Sequence, residues 1–250
     1  MDLDKFYTPL SAAKQCIDIV YAQPFEISDI IEPSAGSGSF SLQIPNCIAY
    51  DLEPEHESII KQDFLKLDLP YKQGRLIIGN PPFGLSMNLA RSFYKKSTRM
   101  CDYIAFILPI SQLENKDSLF EFDLIESVDL GVLKYSGVSV HCCFNVYIRP
   151  LNGRLNKKPI VRSNTIKIYR DDQDGYKDIV ADFCIFRRGS KAGTERFDNL
   201  HTQTYKIVVT DKQDIPFVRD KILNFDWLGF KKHQSAPSLS KNNIYRLFSN

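Results

Sequence analysis

The most specific chemical signal in the sequence is the tetrapeptide Asn80-Pro81-Pro82-Phe83, which follows the apolar, β-prone run Arg75–Ile78. Two successive prolines stiffen the backbone. The side-chain oxygen of Asn80 and the carbonyl of Pro81 are two acceptors that could hold both protons of an exocyclic NH₂ group. That grip favours a more tetrahedral, more nucleophilic nitrogen, and Phe83 offers a flat face for the ring. The plainer alternative is a rigid turn after a buried strand.

A loop of small residues precedes this tetrapeptide. The run Asp29–Ile31 leads into Glu32-Pro33-Ser34-Ala35-Gly36-Ser37-Gly38. Because Gly36 and Gly38 carry no Cβ, the backbone can approach a ligand closely there. In a doubly wound sheet such a loop lies at the carboxyl ends of the strands, where ligands bind. The dinucleotide fingerprint requires a third glycine, so this loop is not one.

Two acidic residues follow at strand ends. Asp51 comes 15 residues after Gly36, and a carboxylate there can accept hydrogen bonds from both hydroxyls of a ribose. Asp63-Phe64 pairs a carboxylate with an aromatic ring, which could bind an adenine amine and stack on its ring. Without the other motifs, Asp51 is consistent with an ordinary strand-end acid. Asp63-Phe64 is equally consistent with a helix-terminal Asp beside a core Phe.

The elements that would position these residues alternate between β-rich runs and helical patterns, which predicts a parallel sheet wound with helices. Strands are predicted at Asp29–Ile31, Cys47–Tyr50, Arg75–Ile78, Tyr103–Leu108, Ser127–Tyr135 and Cys143–Ile148. The last two have no helix between them and suit a hairpin at the sheet edge. Helices are predicted at Pro9–Tyr21, Glu55–Lys61, Asn88–Arg99 and Leu119–Phe122.

The sequence pattern changes after Pro150, where a basic loop begins. We expect one domain over residues 1–151 and a small C-terminal domain over 152–250, rather than an extension of the first sheet. Strands are predicted in this second region at Ile166–Tyr169, Ile179–Phe186 and Tyr205–Val209.

Charge also divides the chain. Residues 1–150 carry 13 Lys and Arg against 19 Asp and Glu, whereas residues 151–250 carry 19 against 11. A basic C-terminal region is what contact with a phosphate backbone requires, although sign-segregated solvated surface is the alternative. The basic residues expected to contact nucleic acid are Arg187, Arg188, Lys191, Lys231 and Lys232.

The remaining bulk features narrow the class of protein. The six cysteines include no CxxC pair, which predicts reduced thiols and no metal site. The first residues carry no signal pattern, and no apolar stretch reaches membrane-spanning length. We therefore expect a soluble cytoplasmic protein without a membrane partner.

Taken in order, these motifs resemble the amino-methylating DNA methyltransferases, in the adenine-specific group with the gamma-type motif order. The resemblance covers about residues 5–150 and depends on order and spacing more than on any one motif. It is carried by Phe6–Pro9, Glu32–Phe40, Asp51, Asp63-Phe64 and Asn80–Phe83. It implies an α/β fold: a Rossmann-like seven-stranded methyltransferase sheet with helices on both faces, plus a small mixed C-terminal region.

The resemblance also implies S-adenosyl-L-methionine as cofactor and DNA as partner, with RNA as an alternative. The implied catalytic residues are Asn80, Pro81, Pro82 and Phe83. The implied cofactor-binding residues are Tyr7, Thr8, Pro9, Glu32, Ser34, Ala35, Gly36, Gly38, Asp51, Leu52, Asp63, Phe64 and Asn80. Phe144 occupies a place where some members put a second aromatic against a flipped base, or it is a core residue.

Several alternatives stay open at this point. A protein glutamine methyltransferase can share the Asn-Pro-Pro element, since it also grips a planar amide, but it more often has Tyr in the fourth place. Methylation of the cytosine amine is a further alternative, as is a non-catalytic nucleic-acid-binding relative. Cytosine carbon-5 chemistry is excluded because no Pro-Cys dipeptide occurs. A region as short as 152–250 also leaves room for a partner subunit in target recognition.

Overall fold

The computed structural model describes residues 7–135, 138–170, 175–197, 203–227 and 239–249. The chain divides into two compact units, Met1–Lys158 and Pro159–Asn250, so the division falls a few residues after the expected boundary. Among the described residues, no helix is long and apolar enough to cross a membrane.

The first unit is built on a seven-stranded sheet in the order β3-β2-β1-β4-β5-β7-β6. β1 to β5 are parallel, and β7 runs antiparallel to both β5 and β6. The strands are β1 Asp29–Glu32, β2 Ile48–Asp51, β3 Ile60–Lys61, β4 Arg75–Gly79, β5 Tyr103–Pro109, β6 Asp123–Tyr135 and β7 Val138–Ile148. The helices are α1 Leu10–Tyr21 and α2 Asn88–Ser97.

The two helices cover opposite faces of this sheet. In α1 the buried residues Ala13, Cys16, Ile17 and Val20 recur at helical spacing, and α2 repeats the pattern with Ala90, Phe93, Tyr94 and Ser97. The α1 residues pack in one apolar cluster with Ile30, whereas Ala90, Phe93 and Tyr94 of α2 pack in another with the neighbouring Ile31. Adjacent strand residues point to opposite faces, so the predicted seven-stranded sheet with helices on both faces is confirmed.

The strand order reverses at β1, which lies between β2 and β4. In an open α/β sheet this switch point opens a crevice at the carboxyl ends of the strands, where ligands bind. The hairpin of β6 and β7 reaches the end of the sheet at which the parallel strands have their carboxyl ends. Because Pro109, the last residue of β5, pairs with Cys142, the hairpin residues beyond that pair extend past the end of β5. The predicted hairpin is confirmed, with β6 at the sheet edge.

Two predicted helices are wrong. Within Glu55–Lys61 the chain forms turns, and its last two residues are β3, which pairs with β2. The segment Leu119–Phe122 is irregular because the hydroxyl of Tyr94 takes the place of helical hydrogen bonds: it accepts from the Phe122 N–H and donates to the Leu119 carbonyl.

The second unit has a sheet of its own, an antiparallel one in the order β8-β10-β9. Its apolar core includes Ile168, Ile185, Ile207, Val218 and Trp227. The strand predicted over Ile179–Phe186 begins only at Phe183. The elements are β8 Ile166–Arg170, β9 Phe183–Phe186, β10 Thr204–Val209, α3 Ile215–Leu223 and α4 Lys241–Tyr245.

Candidate functional site

The glycine loop after β1 adopts backbone that favours glycine. Gly36 and Gly38 have φ of +54° and +88°. A Cβ added to Gly38 would lie 2.8 Å from Cγ of Leu42, so the loop folds too tightly for a side chain there. The Ala35 N–H donates to the Tyr50 carbonyl at 3.0 Å, which ties the loop to β2. The result is bare, ordered backbone at the switch point.

Asp51 fixes this loop through its carboxylate. Oδ2 accepts the Gly36 N–H at 2.7 Å, and Oδ1 accepts the Glu53 N–H at 2.8 Å. Each carboxylate oxygen has a second lone pair, so both can still accept a hydroxyl proton. Leu52 is an exposed apolar residue beside it. Asp51 therefore lies where the sequence expects it, at the end of β2 beside the glycine loop.

The N-terminal segment closes over the same loop. Tyr7 hydrogen-bonds to Glu55, and its ring lies 4.0 Å from where a Cβ on Gly36 would be. Pro9 directly precedes α1. Residues far apart in the sequence therefore lie around the same glycine loop.

Asn80 follows β4 directly, and three of its polar atoms differ in their hydrogen bonding. Nδ2 donates to Oγ1 of Thr8 at 3.1 Å. The backbone carbonyl accepts from the Ser34 hydroxyl at 3.2 Å, which joins the loops after β1 and β4. Oδ1 is buried and has no hydrogen-bond partner among the described residues. Because buried acceptors are normally satisfied, this oxygen is available to a donor from outside the described residues.

The residues around Asn80 make this corner rigid. Gly79 has φ of +156°, and a Cβ there would meet Glu32 and Pro33 at 3.4 Å. Pro81 is buried, and Phe83 is half-buried, where it packs against both apolar clusters of the first unit.

Glu32 is a buried carboxylate at the end of β1, only 2% exposed. Its Oε2 accepts the Ser41 N–H at 2.8 Å. Burial raises the pKa of Glu32 to about 7, against the lowering effect of hydrogen bonds from Ser41 and Phe40, and Asp51 raises it slightly further. The group can therefore change protonation near neutral pH.

Two predicted aromatic residues are buried and not open to a ligand, whereas Asp63 is half-buried. Phe64 is 1% exposed and stacks on Phe93, with ring centroids 5.4 Å apart. Phe144 is 0% exposed within the cluster on the α1 face, so the structure corrects its expected place against a base to a place in the core. The Oδ1 of Asp63 accepts the Leu65 N–H at 3.0 Å and caps the turn that follows β3.

Sequence reasoning missed Tyr135, the last residue of β6. It is 0% exposed, and its hydroxyl lies 3.5 Å from Sγ of Cys142. Burial, the larger effect, raises the pKa of this hydroxyl above its usual value, and the Asn80 side chain lowers it. No local pattern signals this contact, because it depends on how far the hairpin extends past β5.

In the second unit, β9 continues into a short β-ribbon. Phe186 and Thr194 are joined by a backbone hydrogen bond of 2.9 Å, and Ile185 pairs with Glu195. The tip between these strands carries Arg187, Arg188 and Lys191. Lys191 and Arg196 both lie near the ring of Phe186.

The charge of this ribbon is almost entirely positive. Glu195 is the one carboxylate in residues 183–197, and it is ion-paired with Arg219. Arg188 and Lys191 are exposed at the tip. Lys231 and Lys232, which the sequence also singles out, lie outside the described residues.

All six cysteines are free thiols, four of them buried. In the part of the chain that the structure describes, no group of three or more His, Cys, Asp or Glu side chains is placed to hold a metal ion.

Comparison with known proteins finds no matching family model and no matching curated relative. Among solved structures, a Pyrococcus horikoshii protein with a proposed RNA methyltransferase activity is 14% identical, with a TM-score of 0.48, over 59% of this chain and 87% of that one. The modification subunit of a proposed type I restriction enzyme from Vibrio vulnificus is 14% identical, with a TM-score of 0.47, over 68% and 47%.

A Listeria monocytogenes protein predicted to be an N6-adenine-specific DNA methylase is 11% identical, with a TM-score of 0.36, over 55% of this chain and 51% of that one.

Proposed function

We propose that this chain is an S-adenosylmethionine-dependent methyltransferase that acts on nucleic acid, and that it methylates the exocyclic N6 amine of adenine in DNA. The observation that carries the proposal is the buried, unpartnered Oδ1 of Asn80 at the carboxyl end of β4. An acceptor in that state fits an NH₂ donor, since burying it without one costs about 1–3 kcal/mol.

The residues of the switch point fit the proposed cofactor. Gly36 and Gly38 offer backbone without side chains, and Asp51 retains lone pairs for ribose hydroxyls. Glu32, buried beside the glycine loop, would face the methionine end. Tyr7, Thr8 and Pro9 would cover the cofactor from the N-terminal side, with Ser34 and Ala35 beneath it and Leu52 and Asp63 toward its adenosine part.

The residues of the chain would orient the target amine and keep its lone pair available for the methyl transfer. When bound, S-adenosylmethionine supplies an electrophilic methyl group whose bond to sulfur breaks with both electrons going to the sulfur. Asn80 Oδ1 and the Pro81 carbonyl would each accept one proton of the target amine, which keeps its lone pair out of the ring. That lone pair forms the new nitrogen–carbon bond, and the nitrogen then loses one proton to solvent. Pro82 would stiffen the corner and Phe83 would stack on the base.

A duplex substrate requires the target base to leave the helix before it can reach a buried oxygen. The basic tip with Arg187, Arg188 and Lys191 would contact the phosphate backbone. Phe144, fully buried in the core, is left out of this proposal.

The test is tritiated methyl transfer to unmethylated duplex DNA, single-stranded DNA and RNA, followed by nucleoside analysis of the product. N6-methyladenine in DNA is the expected outcome. The same modified base found only in RNA would transfer the proposal to RNA, and no label in any nucleic acid would overturn it.

Asn80→Ala, assayed in parallel, should lose methyl transfer by at least about 100-fold while S-adenosylmethionine affinity stays near that of the wild type. A suitable control is Asn152→Ala. Asn152 lies past the end of β7 that pairs with the start of β5, at the opposite edge of the sheet. Loss of cofactor affinity together with activity in Asn80→Ala would mean that Asn80 has a structural role.

A further inference from the structure

We propose that the basic ribbon of the second unit, residues 183–197, binds an unpaired stretch of nucleic acid, with a base stacked on the ring of Phe197 and phosphates beside Arg188 and Lys191. The inference rests on the proposed function, since that function makes nucleic acid the partner of this chain. It adds an aromatic contact to the phosphate contacts proposed for the tip. It also names the form of the partner at the ribbon, a strand whose bases are not paired.

The first observation is the exposure of Phe197, which is 82%. Most of its ring is therefore accessible to a ligand. A flat apolar ring is a surface on which any nucleobase can stack, because every base has a π-face. One exposed apolar residue needs no explanation by itself, so the surroundings of this ring decide what it can bind.

The backbone that carries Phe197 is ordered up to the preceding residue. The Arg196 N–H donates to the Cys184 carbonyl at 2.9 Å, which continues the pairing of the ribbon. One residue earlier, Glu195 is ion-paired with Arg219 of α3. The ring is thus attached to a fixed element, and less conformational freedom is lost when it binds a ligand.

The charge around Phe197 matches a polyanion. Glu195 is the one acidic residue in 186–197, and its ion pair with Arg219 neutralises it. Arg188 and Lys191 are exposed. A positively charged surface next to an aromatic ring is the combination with which proteins bind single strands without reading their sequence. The four basic residues of this segment are Arg187, Arg188, Lys191 and Arg196.

An aromatic contact of this kind distinguishes an unpaired strand from a duplex. In a duplex each base is stacked between its neighbours and paired, so Phe197 has no free base face to cover unless the helix is disrupted. An unpaired strand offers such faces. The phosphates, in contrast, are present in both forms. Phe197 should therefore contribute to the binding of a single strand alone, and Arg188 and Lys191 to the binding of both.

The test measures the affinity of the full chain for a labelled single-stranded DNA oligonucleotide and for the same strand annealed to its complement. Phe197→Ala should weaken binding of the single strand by at least about 5-fold, the lower end of the range for base–aromatic stacking. Its affinity for the duplex should equal that of the wild type. Phe197→Tyr keeps the ring and should bind as the wild type does, whereas Phe197→Leu keeps apolar bulk without a ring and should resemble Phe197→Ala.

Two controls separate stacking from charge and from exposed aromatic surface in general. Phe217→Ala removes another exposed ring, on α3 and outside the ribbon, and should leave both affinities unchanged. Arg188→Glu/Lys191→Glu should weaken binding of both nucleic acids and lower the salt dependence of each. Phe197→Ala removes no charge, so the slope of log K against log salt should stay at the wild-type value.

The inference is overturned if Phe197→Ala binds the single strand as the wild type does, or loses equal affinity for the single strand and the duplex. It is also overturned if Phe197→Leu keeps full affinity, or if the wild type binds no single strand. Failure of the proposed function is a separate result. A chain that binds the strand through Phe197 but transfers no methyl group would overturn the proposed activity and support this inference.

Discussion

At the residue scale the candidate site depends on one oxygen atom, Oδ1 of Asn80. The sequence predicts that Asn80 follows the fourth strand and that its amide is an acceptor, because both inferences need only a local pattern. It does not predict the partner of the amide nitrogen, which is Thr8. Thr8 precedes Asn80 by 72 residues, and a contact at that separation depends on strand order.

Glu32 should make stability depend on pH in a known direction. Its pKa is about 7 when folded against 4.5 as the ordinary value, so an unfolded chain releases this proton first. The contribution of protonated Glu32 to the free energy of unfolding is fully present below pH 4.5 and is lost as the pH rises to about 7. Relative to Glu32→Gln, the wild type should lose roughly 3 kcal/mol between pH 4 and 8. Urea unfolding of both proteins at several pH values measures this, and parallel pH profiles would contradict it.

Asp51→Ala should weaken cofactor binding more than it weakens folding. It removes the acceptor of the Gly36 and Glu53 N–H groups and the proposed ribose ligand. We expect a loss of at least about 10-fold in S-adenosylmethionine affinity by titration calorimetry, as for a charged hydrogen bond. The exposed Glu57→Ala is a control of equal charge change. Equal affinity in Asp51→Ala would remove its ribose role.

At the element scale, periodicity predicts the long elements well and the short ones poorly. α1 and α2 each carry two turns of apolar spacing, which is strong local information. Glu55–Lys61 has less of it, and competing contacts decide its structure: the Glu55 N–H donates to Gly36, while Ile60 and Lys61 pair with β2. The structure of a short segment therefore depends on its contacts with other parts of the chain, and the local sequence does not show these contacts.

The ribbon tip of the second unit allows a matched pair of glycine substitutions. Gly193 and Gly189 have φ of +87° and +77°, but a Cβ on Gly193 would lie 1.9 Å from Trp227 whereas one on Gly189 meets nothing within 4 Å. Gly189→Ala should cost about 1–2 kcal/mol from backbone strain alone. Gly193→Ala should cost at least roughly 1 kcal/mol more through overpacking.

Trp227 is the single tryptophan of the chain, so its fluorescence during denaturant unfolding reports on the unit that contains both glycines. Equal costs for Gly189→Ala and Gly193→Ala would show that the tip does not pack on Trp227.

At the scale of the whole molecule, the chain separates an acidic sheet unit from a basic one. Composition predicts that separation, and the motif order predicts the seven-stranded sheet. The strand order within the second unit has no sequence signal, because β8 and β9 are joined through β10, which follows both in the chain.

If the basic ribbon contacts phosphates, the double variant Arg188→Glu/Lys191→Glu should weaken nucleic-acid binding. It should also lower the slope of log K against log salt by about one for each phosphate that the ribbon no longer neutralises. Lys167→Glu is the control, since Lys167 is exposed on β8, at the other edge of the three-stranded sheet from β9. Binding titrations on duplex DNA at several salt concentrations measure this. An unchanged slope would move the phosphate-binding surface elsewhere.

The hairpin of β6 and β7 has a consequence for assembly. Its tip extends past the end of β5 only once β7 has paired with β5, and β7 follows β6 in the chain. During synthesis, more than half of the protein must therefore leave the ribosome before the hairpin can reach the carboxyl ends of the parallel strands. The glycine loop and Asp51 are made earlier, so the proposed cofactor site is synthesised before the hairpin that completes this end of the sheet.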